Sequence, residues 1–296
     1  MQKLKVNLVV EEDKNILDAM KEAYLNCPAA IKYCREIGIS DELIDKNISR
    51  IFDFVCDINY CKKCPGIDKC EKNNPLLISK IIYQDNTVSS QLVPCKELLR
   101  QTKFESQFRY RDFKESWTSK KLKDLDETNQ RKIALKKYVD FIKGKNSGWI
   151  YLTGGIGSGK SFFAAVICCD AARRELGPIS FLNCNQRFRE LVNEFYARNS
   201  DFQKLLDQYS TTPILVLDDF GNEFKNDIVR DAILYPILQN RINKNMLTII
   251  TSDFTIDEIK ALYSTNKQGE IRAKQIARVL RNECGEEINL GDLKIY

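Results

Sequence analysis

The chain has 296 residues, enough for one large domain or two ordinary ones, and its 43% hydrophobic and 29% charged residues match soluble globular proteins. A net charge of +5 permits contact with nucleic acid without demanding it, and no apolar run of 18 residues offers a membrane span. The sequence contains no histidine, which excludes a histidine base and restricts any metal site to cysteine or carboxylate ligands.

The opening stretch, Met1-Gln2-Lys3-Leu4-Lys5-Val6-Asn7, lacks the apolar centre of a signal peptide. With eleven cysteines and no such leader, the expected compartment is the reducing cytoplasm, where thiols serve metals or cores. Residues 11–55 read as helical, with Ile44, Ile48, Ile51, Phe52 and Val55 forming one apolar stripe at helical spacing. That stripe is either the packing face of a small domain or a docking face for another protein.

Cysteines follow at positions 56, 61, 64 and 70, and then at 95. Cys61-x-x-Cys64 with Pro65-Gly66 behind it is half of a structural zinc site, because two thiolates on a tight knuckle share one tetrahedral ion. Five candidates, Cys56, Cys61, Cys64, Cys70 and Cys95, stand for four positions. Cys61 and Cys64 are the firm pair, and Cys95 lies beyond a predicted hairpin between Leu76 and Val93. A cluster of free cytosolic thiols is the competing reading.

Residues 100–123 mix Arg and Lys with Phe104, Phe108, Tyr110, Phe113 and Trp117. Such a stretch reads either as a solvated linker or as a basic stacking surface for single-stranded nucleic acid, and the linker is preferred. The expected organisation is therefore a helical, Cys-rich domain over 1–100, a basic and aromatic linker over 101–126, and an ATPase domain over 127–296.

A helix over 128–143 leads to the stretch that organises the rest. Gly154-Gly155-Ile156-Gly157-Ser158-Gly159-Lys160-Ser161 fits G-x-x-x-x-G-K-[ST], preceded by the apolar strand Trp149-Ile150-Tyr151-Leu152 and followed by a helix from Phe162 to Arg174. Such a loop presents backbone N–H groups and a helix N-terminus to a polyphosphate, so residues 154–162 are the candidate ATP contacts. Lys160 would reach the β and γ phosphates, and the Ser161 hydroxyl would hold Mg²⁺.

Strands and helices then alternate. Ile179 to Leu182 is a strand and Gln186 to Arg198 a helix. Ile214 to Leu217 forms a buried strand ending in Asp218-Asp219, and a helix from Asp227 to Ile242 leads to the strand Leu247 to Thr251, with further helices to Asn282. This order predicts an α/β fold, a parallel sheet with helices on both faces and its ligand at the carboxyl ends of the strands. Asp218 would support Mg²⁺ together with Ser161, and Asp219 would orient the attacking water. Asp253 should face the γ-phosphate, while Arg230, Arg241, Arg278 and Arg281 are the cations available for transition-state charge, one of them in trans if protomers assemble.

Taken together, the P-loop, Leu217-Asp218-Asp219-Phe220-Gly221-Asn222-Glu223, Val229-Arg230-Asp231, Thr251-Ser252-Asp253-Phe254 and Ala277-Arg278-Val279-Leu280 resemble the DnaC/DnaI group of AAA+ ATPases, bacterial loaders of the replicative helicase. The Cys61, Cys64 and Cys70 region with Val93-Pro94-Cys95-Lys96 is similar to the zinc-binding N-terminal domain of the DnaI type. The resemblance implies an AAA+ fold behind a small helical zinc domain. It implies ATP, Mg²⁺ and Zn²⁺ as cofactors. As partners it implies a DnaB-type helicase hexamer, single-stranded DNA and neighbouring protomers, with no membrane. The runners-up are a transposition helper ATPase of the IstB type and a zinc-stabilised adaptor that scarcely hydrolyses ATP.

The sequence departs from that group at three places. Asn74 stands near the position of a His ligand, so Cys70 is expected to complete the set with Cys61, Cys64 and Cys95, leaving Cys56 as the alternative. Asp253 occupies the sensor position usually held by Asn. Asn282 stands four residues after Arg278, where the group has an Arg, and Arg281 precedes it. Slow hydrolysis is expected.

Overall fold

The computed structural model describes residues 2–145, 148–197, 201–242, 244 and 246–291, and side chains from residue 14 onward. The chain divides into two compact units, Met1–Lys103 and Phe104–Tyr296. No helix among the described residues is long and apolar enough to cross a membrane.

The first unit opens with four helices: α1 (Gln2–Leu25), α2 (Pro28–Glu36), α3 (Asp41–Lys46) and α4 (Ile48–Cys61). Ser40 caps α3 by accepting the Leu43 N–H, and Pro28 starts α2, where no amide donor is missed. An antiparallel hairpin follows, β1 (Leu77–Gln84) and β2 (Thr87–Pro94). Its two-residue turn puts Asp85 and Asn86 at φ of 50° and 57°, the left-handed conformation these side chains tolerate and whose twist suits a hairpin.

Ile44, Ile48, Ile51 and Val55 are all buried, packed with Tyr24, Cys27, Cys34, Ile81 and Val88. The apolar stripe is thus this unit's own core, and the docking reading of it falls. Only Phe52 is left half-buried at its edge.

The second unit is built on one six-stranded parallel sheet. Its strands are β3 (Phe108–Arg111), β4 (Ile150–Thr153), β5 (Ile179–Asn183), β6 (Ile214–Asp218), β7 (Leu247–Thr251) and β8 (Glu287–Asn289), in the spatial order β3-β5-β6-β7-β4-β8. Helix α5 (Lys96–Glu105) leads into the unit, and α6 (Asn129–Ile142), α7 (Lys160–Arg173), α8 (Cys184–Tyr196), α9 (Asp201–Thr211), α10 (Tyr235–Arg241), α11 (Ile256–Tyr263) and α12 (Lys267–Cys284) complete it. A wide π-turn segment, Ile228–Leu234, enters α10.

Alternation along the strands sorts the core. Ile150, Leu152, Ile214, Val216 and Ile249 face one side with α6 and α7, whereas Tyr151, Leu215, Leu217 and Ile250 face α8 to α12 on the other. Both faces are covered, so the strands read as continuous apolar runs. The expected α/β class holds, with helices on both faces of the sheet.

The expected linker is corrected. Strand β3 lies inside residues 101–126 and pairs in parallel with β5 at the sheet edge. The rings of Phe104, Phe108, Phe113 and Trp117 pack edge to face or stacked along that edge, and Phe113 meets Phe181 at 5.0 Å between centroids. Rings committed to a core are not free to stack on bases, so the stacking-surface reading also falls. Short edge strands of this kind gain their stability from pairing with a neighbour, which leaves little trace in local sequence.

Candidate nucleotide site

The loop between β4 and α7 crosses the carboxyl end of the sheet. Gly159 sits at φ 87° immediately before α7, and Gly154 at φ 138°, where an added Cβ would come within 2.8 Å of the Gly291 carbonyl and 3.0 Å of Ser158 Oγ. Glycine is the residue that meets both demands, backbone conformation and space. Ser158 is buried, and Ile156 is 84% exposed at the tip.

Lys160 is turned back on its own loop. Its ammonium donates to the carbonyls of Gly154 at 2.7 Å and Gly155 at 3.0 Å, and it pairs with Asp253 Oδ1 at 2.8 Å. Asp253 follows the end of β7. Its Oδ2 accepts a 3.3 Å hydrogen bond from the Asn222 side-chain amide, which also donates to Asp219 Oδ1 at 2.6 Å.

Asp218 ends β6 and is buried. The Thr251 hydroxyl donates to its Oδ1 at 2.6 Å and accepts the Asp219 N–H at 3.0 Å, and Ser161 also hydrogen-bonds to it. Burial raises the Asp218 carboxyl above its ordinary value, and the bonds from Thr251 and Ser161 oppose that rise. Asp219 adopts φ 59°, unusual for a residue with a side chain. The turn is braced from behind by Glu223, 2% exposed, which accepts the Gly221 N–H at 2.8 Å and the Tyr263 hydroxyl.

A cleft of about 800 Å³ opens at this place, lined by Gly157, Gly159, Lys160, Ser161, Phe162, Asp219, Thr251 and Asp253. Its other wall is the segment taken for a linker. Lys114, Ser116, Trp117, Ser119, Lys120 and Asp126 line it, together with Arg131 of α6. Trp117 meets Phe162 edge-on at 5.5 Å between centroids. Arg131 pairs with Asp126 at 2.9 Å and reaches the Ser158 carbonyl at 3.3 Å, while its Nε is buried without a partner.

Sequence reasoning missed this wall, Asn222 and the bracing role of Glu223. The aromatic run at 104–117 was the available signal. The cleft suits a polyphosphate with a divalent cation. One face carries N–H donors and an ammonium, and Ser161 beside Asp218 is an oxygen-ligand set for Mg²⁺.

The four arginines separate sharply. Arg230 is 2% exposed and held by Asp227 at 2.8 Å and Asp231 at 2.6 Å. Arg241 is fully buried, donating to the carbonyls of Ser210, Thr212, Pro213 and Leu247 and to Thr248 Oγ1. Neither can reach a neighbouring protomer as it stands, so both leave the group of available cations. Arg278 and Arg281 are exposed on α12, the latter paired with Asp257, because Ala273, Ile276, Ala277 and Leu280 turn the opposite face inward. Neither is among the residues lining the cleft.

In the first unit, Cys61, Cys64, Cys70 and Cys95 line one small pocket with Lys72, and Cys56 lies outside it, exposed on α4. Backbone amides of Leu76 and Lys72 donate to the Cys70 sulfur and hold its thiol below the usual value, and the Leu98 N–H lies 3.4 Å from Cys95 Sγ. Soft sulfur donors converging on one knuckle, with N–H bonds to two of them, are chemistry suited to zinc. As they stand, however, no three Cys, Asp or Glu side chains among the described residues are spaced to hold a metal ion.

A parallel sheet with a P-loop after β4 and a buried aspartate ending β6, with β7 between those two strands, defines a P-loop ATP-binding protein of the AAA+ class. The chain belongs to the family of IstB-like ATP binding proteins, whose model matches residues 84–270. It is 25% identical over 276 residues to the replicative helicase loader DnaI of Bacillus subtilis (strain 168), covering 89% of this chain and 87% of that protein. Among solved structures, a crystal structure of DnaI superposes with a TM-score of 0.54 at 26% identity, covering 62% of this chain and 97% of that one. A crystallised protein of Streptococcus pyogenes serotype M3 shares the fold, with a TM-score of 0.51 at 21% identity over 66% of this chain and 99% of its own.

Proposed function

We propose that this chain loads the replicative helicase onto single-stranded DNA, with ATP binding and slow hydrolysis as the switch between holding and release. The observation that carries the reading is the extent of the similarity to the Bacillus subtilis loader. It runs through 89% of the chain and so takes in the cysteine-rich unit as well as the ATPase unit. A transposition helper of the IstB type is the second reading, favoured by the family model itself, but that model begins only at residue 84.

In the proposed division of labour, the cysteine-rich unit holds the helicase hexamer, stiffened by zinc on Cys61, Cys64, Cys70 and Cys95. The ATPase unit binds ATP through residues 154–162, with Lys160 on the β and γ phosphates and Ser161 and Asp218 holding Mg²⁺. Bound Mg²⁺ supplies charge neutralisation at the phosphates. Asp219 orients water, and its carboxylate is one methylene shorter than the glutamate usual there, which supports slow turnover. Arg278 and Arg281, exposed on α12, are the cations left to serve a neighbouring protomer, which makes self-association part of the proposal. The site of action is the cytoplasm.

The test is reconstitution. Full-length chain, the replicative helicase of the same organism, ATP and single-stranded DNA should give helicase stably placed on the DNA, and Lys160→Ala should give none. Failure of the parent chain to bind the helicase at all would overturn the loader reading.

A further inference from the structure

The contact between Lys160 and Asp253 has a consequence for which nucleotide the site prefers. The ammonium of Lys160 is nearly enclosed, its side chain 9% exposed, and two P-loop carbonyls and the Asp253 carboxylate are its near partners, with Ser158 Oγ farther off at 3.5 Å. A bare ammonium there would be costly, and Asp253 neutralises it much as a phosphate would. The carboxylate is not a loose rotamer. Asn222 holds its second oxygen, and the same amide ties Asp219, so the P-loop, the turn after β6 and the end of β7 are joined in one polar chain.

Resting on the reading of this cleft as the nucleotide site, we propose that Asp253 competes with the terminal phosphate for Lys160 and biases the site against the triphosphate. A polyphosphate entering the cleft must draw the ammonium away from Asp253. The freed carboxylate then stands beside Asp218 and Asp219 at the same sheet edge, and each further phosphate charge brought toward Lys160 meets it. A diphosphate brings less charge to that end. An amide at 253 would hold the ammonium only as a neutral acceptor and offer a donor instead of a third negative charge. The other charged groups lining the cleft, Lys114, Lys120, Asp124, Asp126 and Arg131, belong to the opposite wall and do not pair with Asp253.

The experiment is calorimetric titration of the full chain with Mg²⁺ and either ADP or a non-hydrolysable ATP analogue, for the parent, Asp253→Asn and Asp253→Ser. Both variants should tighten the triphosphate by about tenfold, the effect of a well-placed charge pair, and the diphosphate by under about threefold. Without nucleotide both should melt below the parent, because Lys160 has lost its counter-ion, and the triphosphate should narrow that gap. Equal changes for the two nucleotides, or no tightening in either variant, would overturn the inference while leaving the nucleotide site intact. A parent that binds neither nucleotide would remove the site reading and this inference with it.

Discussion

Arg241 offers a direct test of the separation between structural and functional cations. Arg241→Met keeps most of the volume and removes the guanidinium. Four carbonyls and one hydroxyl accept from that group, and no carboxylate is among them. Burial alone pushes its basicity down to about 9, and the surrounding oxygens, all acting as acceptors, keep it protonated at neutral pH. Pro213 O keeps its bond from the Leu247 N–H, and Leu247 itself is paired in the β6–β7 ladder, so the loss concentrates on Ser210 and Thr212. Two orphaned carbonyls at about 1–3 kcal/mol each, partly offset by no longer burying a cation, give a net loss of about 3 kcal/mol. For a unit of this size that is a drop of about 6–12 °C in melting temperature, read by scanning calorimetry. The physical reason is specific: Arg241 ties the end of α9 to the entries of β6 and β7, which support Asp218 and Thr251. A variant that melts with the parent yet loses ATP turnover would refute this account and return Arg241 to the catalytic candidates.

Three further outcomes are expected. Asp219→Asn, which tolerates the same left-handed backbone, should bind ATP like the parent and hydrolyse it more slowly, far below about 10 per second; turnover equal to the parent would exclude Asp219 from water activation. Freshly purified reduced protein should carry about one zinc per chain by elemental analysis, lost in Cys61→Ser and Cys64→Ser and kept in Cys56→Ser; metal-free parent protein would refute the site. Glu223→Gln should show its sign in pH. Burial raises the Glu223 carboxyl above its ordinary 4.5, so the parent's stability relative to the variant should be fully present below that value and fall as pH rises through the raised one, whereas a difference in melting temperature that is flat with pH would refute the assignment.

By itself the sequence determined the P-loop, the four central strands β4 to β7 and most of their helices, because apolar periodicity and the Gly-Lys-Ser pattern are local. It also determined the stripe from Ile44 to Val55, though not what covers it, since the hairpin strand carrying Ile81 lies far along the chain. Only the tertiary structure decided that residues 114–126 form a wall of the nucleotide cleft. Strands β3 and β8 are four and three residues long, too short for alternation to register, and the rings that read as a stacking surface turn inward only because β5 and α7 receive them. The cations show the same limit. Arg230, Arg241, Arg278 and Arg281 are equal in a sequence, and their different fates follow from which of them a fold encloses. The pairing of Lys160 with Asp253 spans 93 positions, and such a contact is set by strand order: β7 lies beside β4, and that neighbour relation is a property of the sheet rather than of either segment.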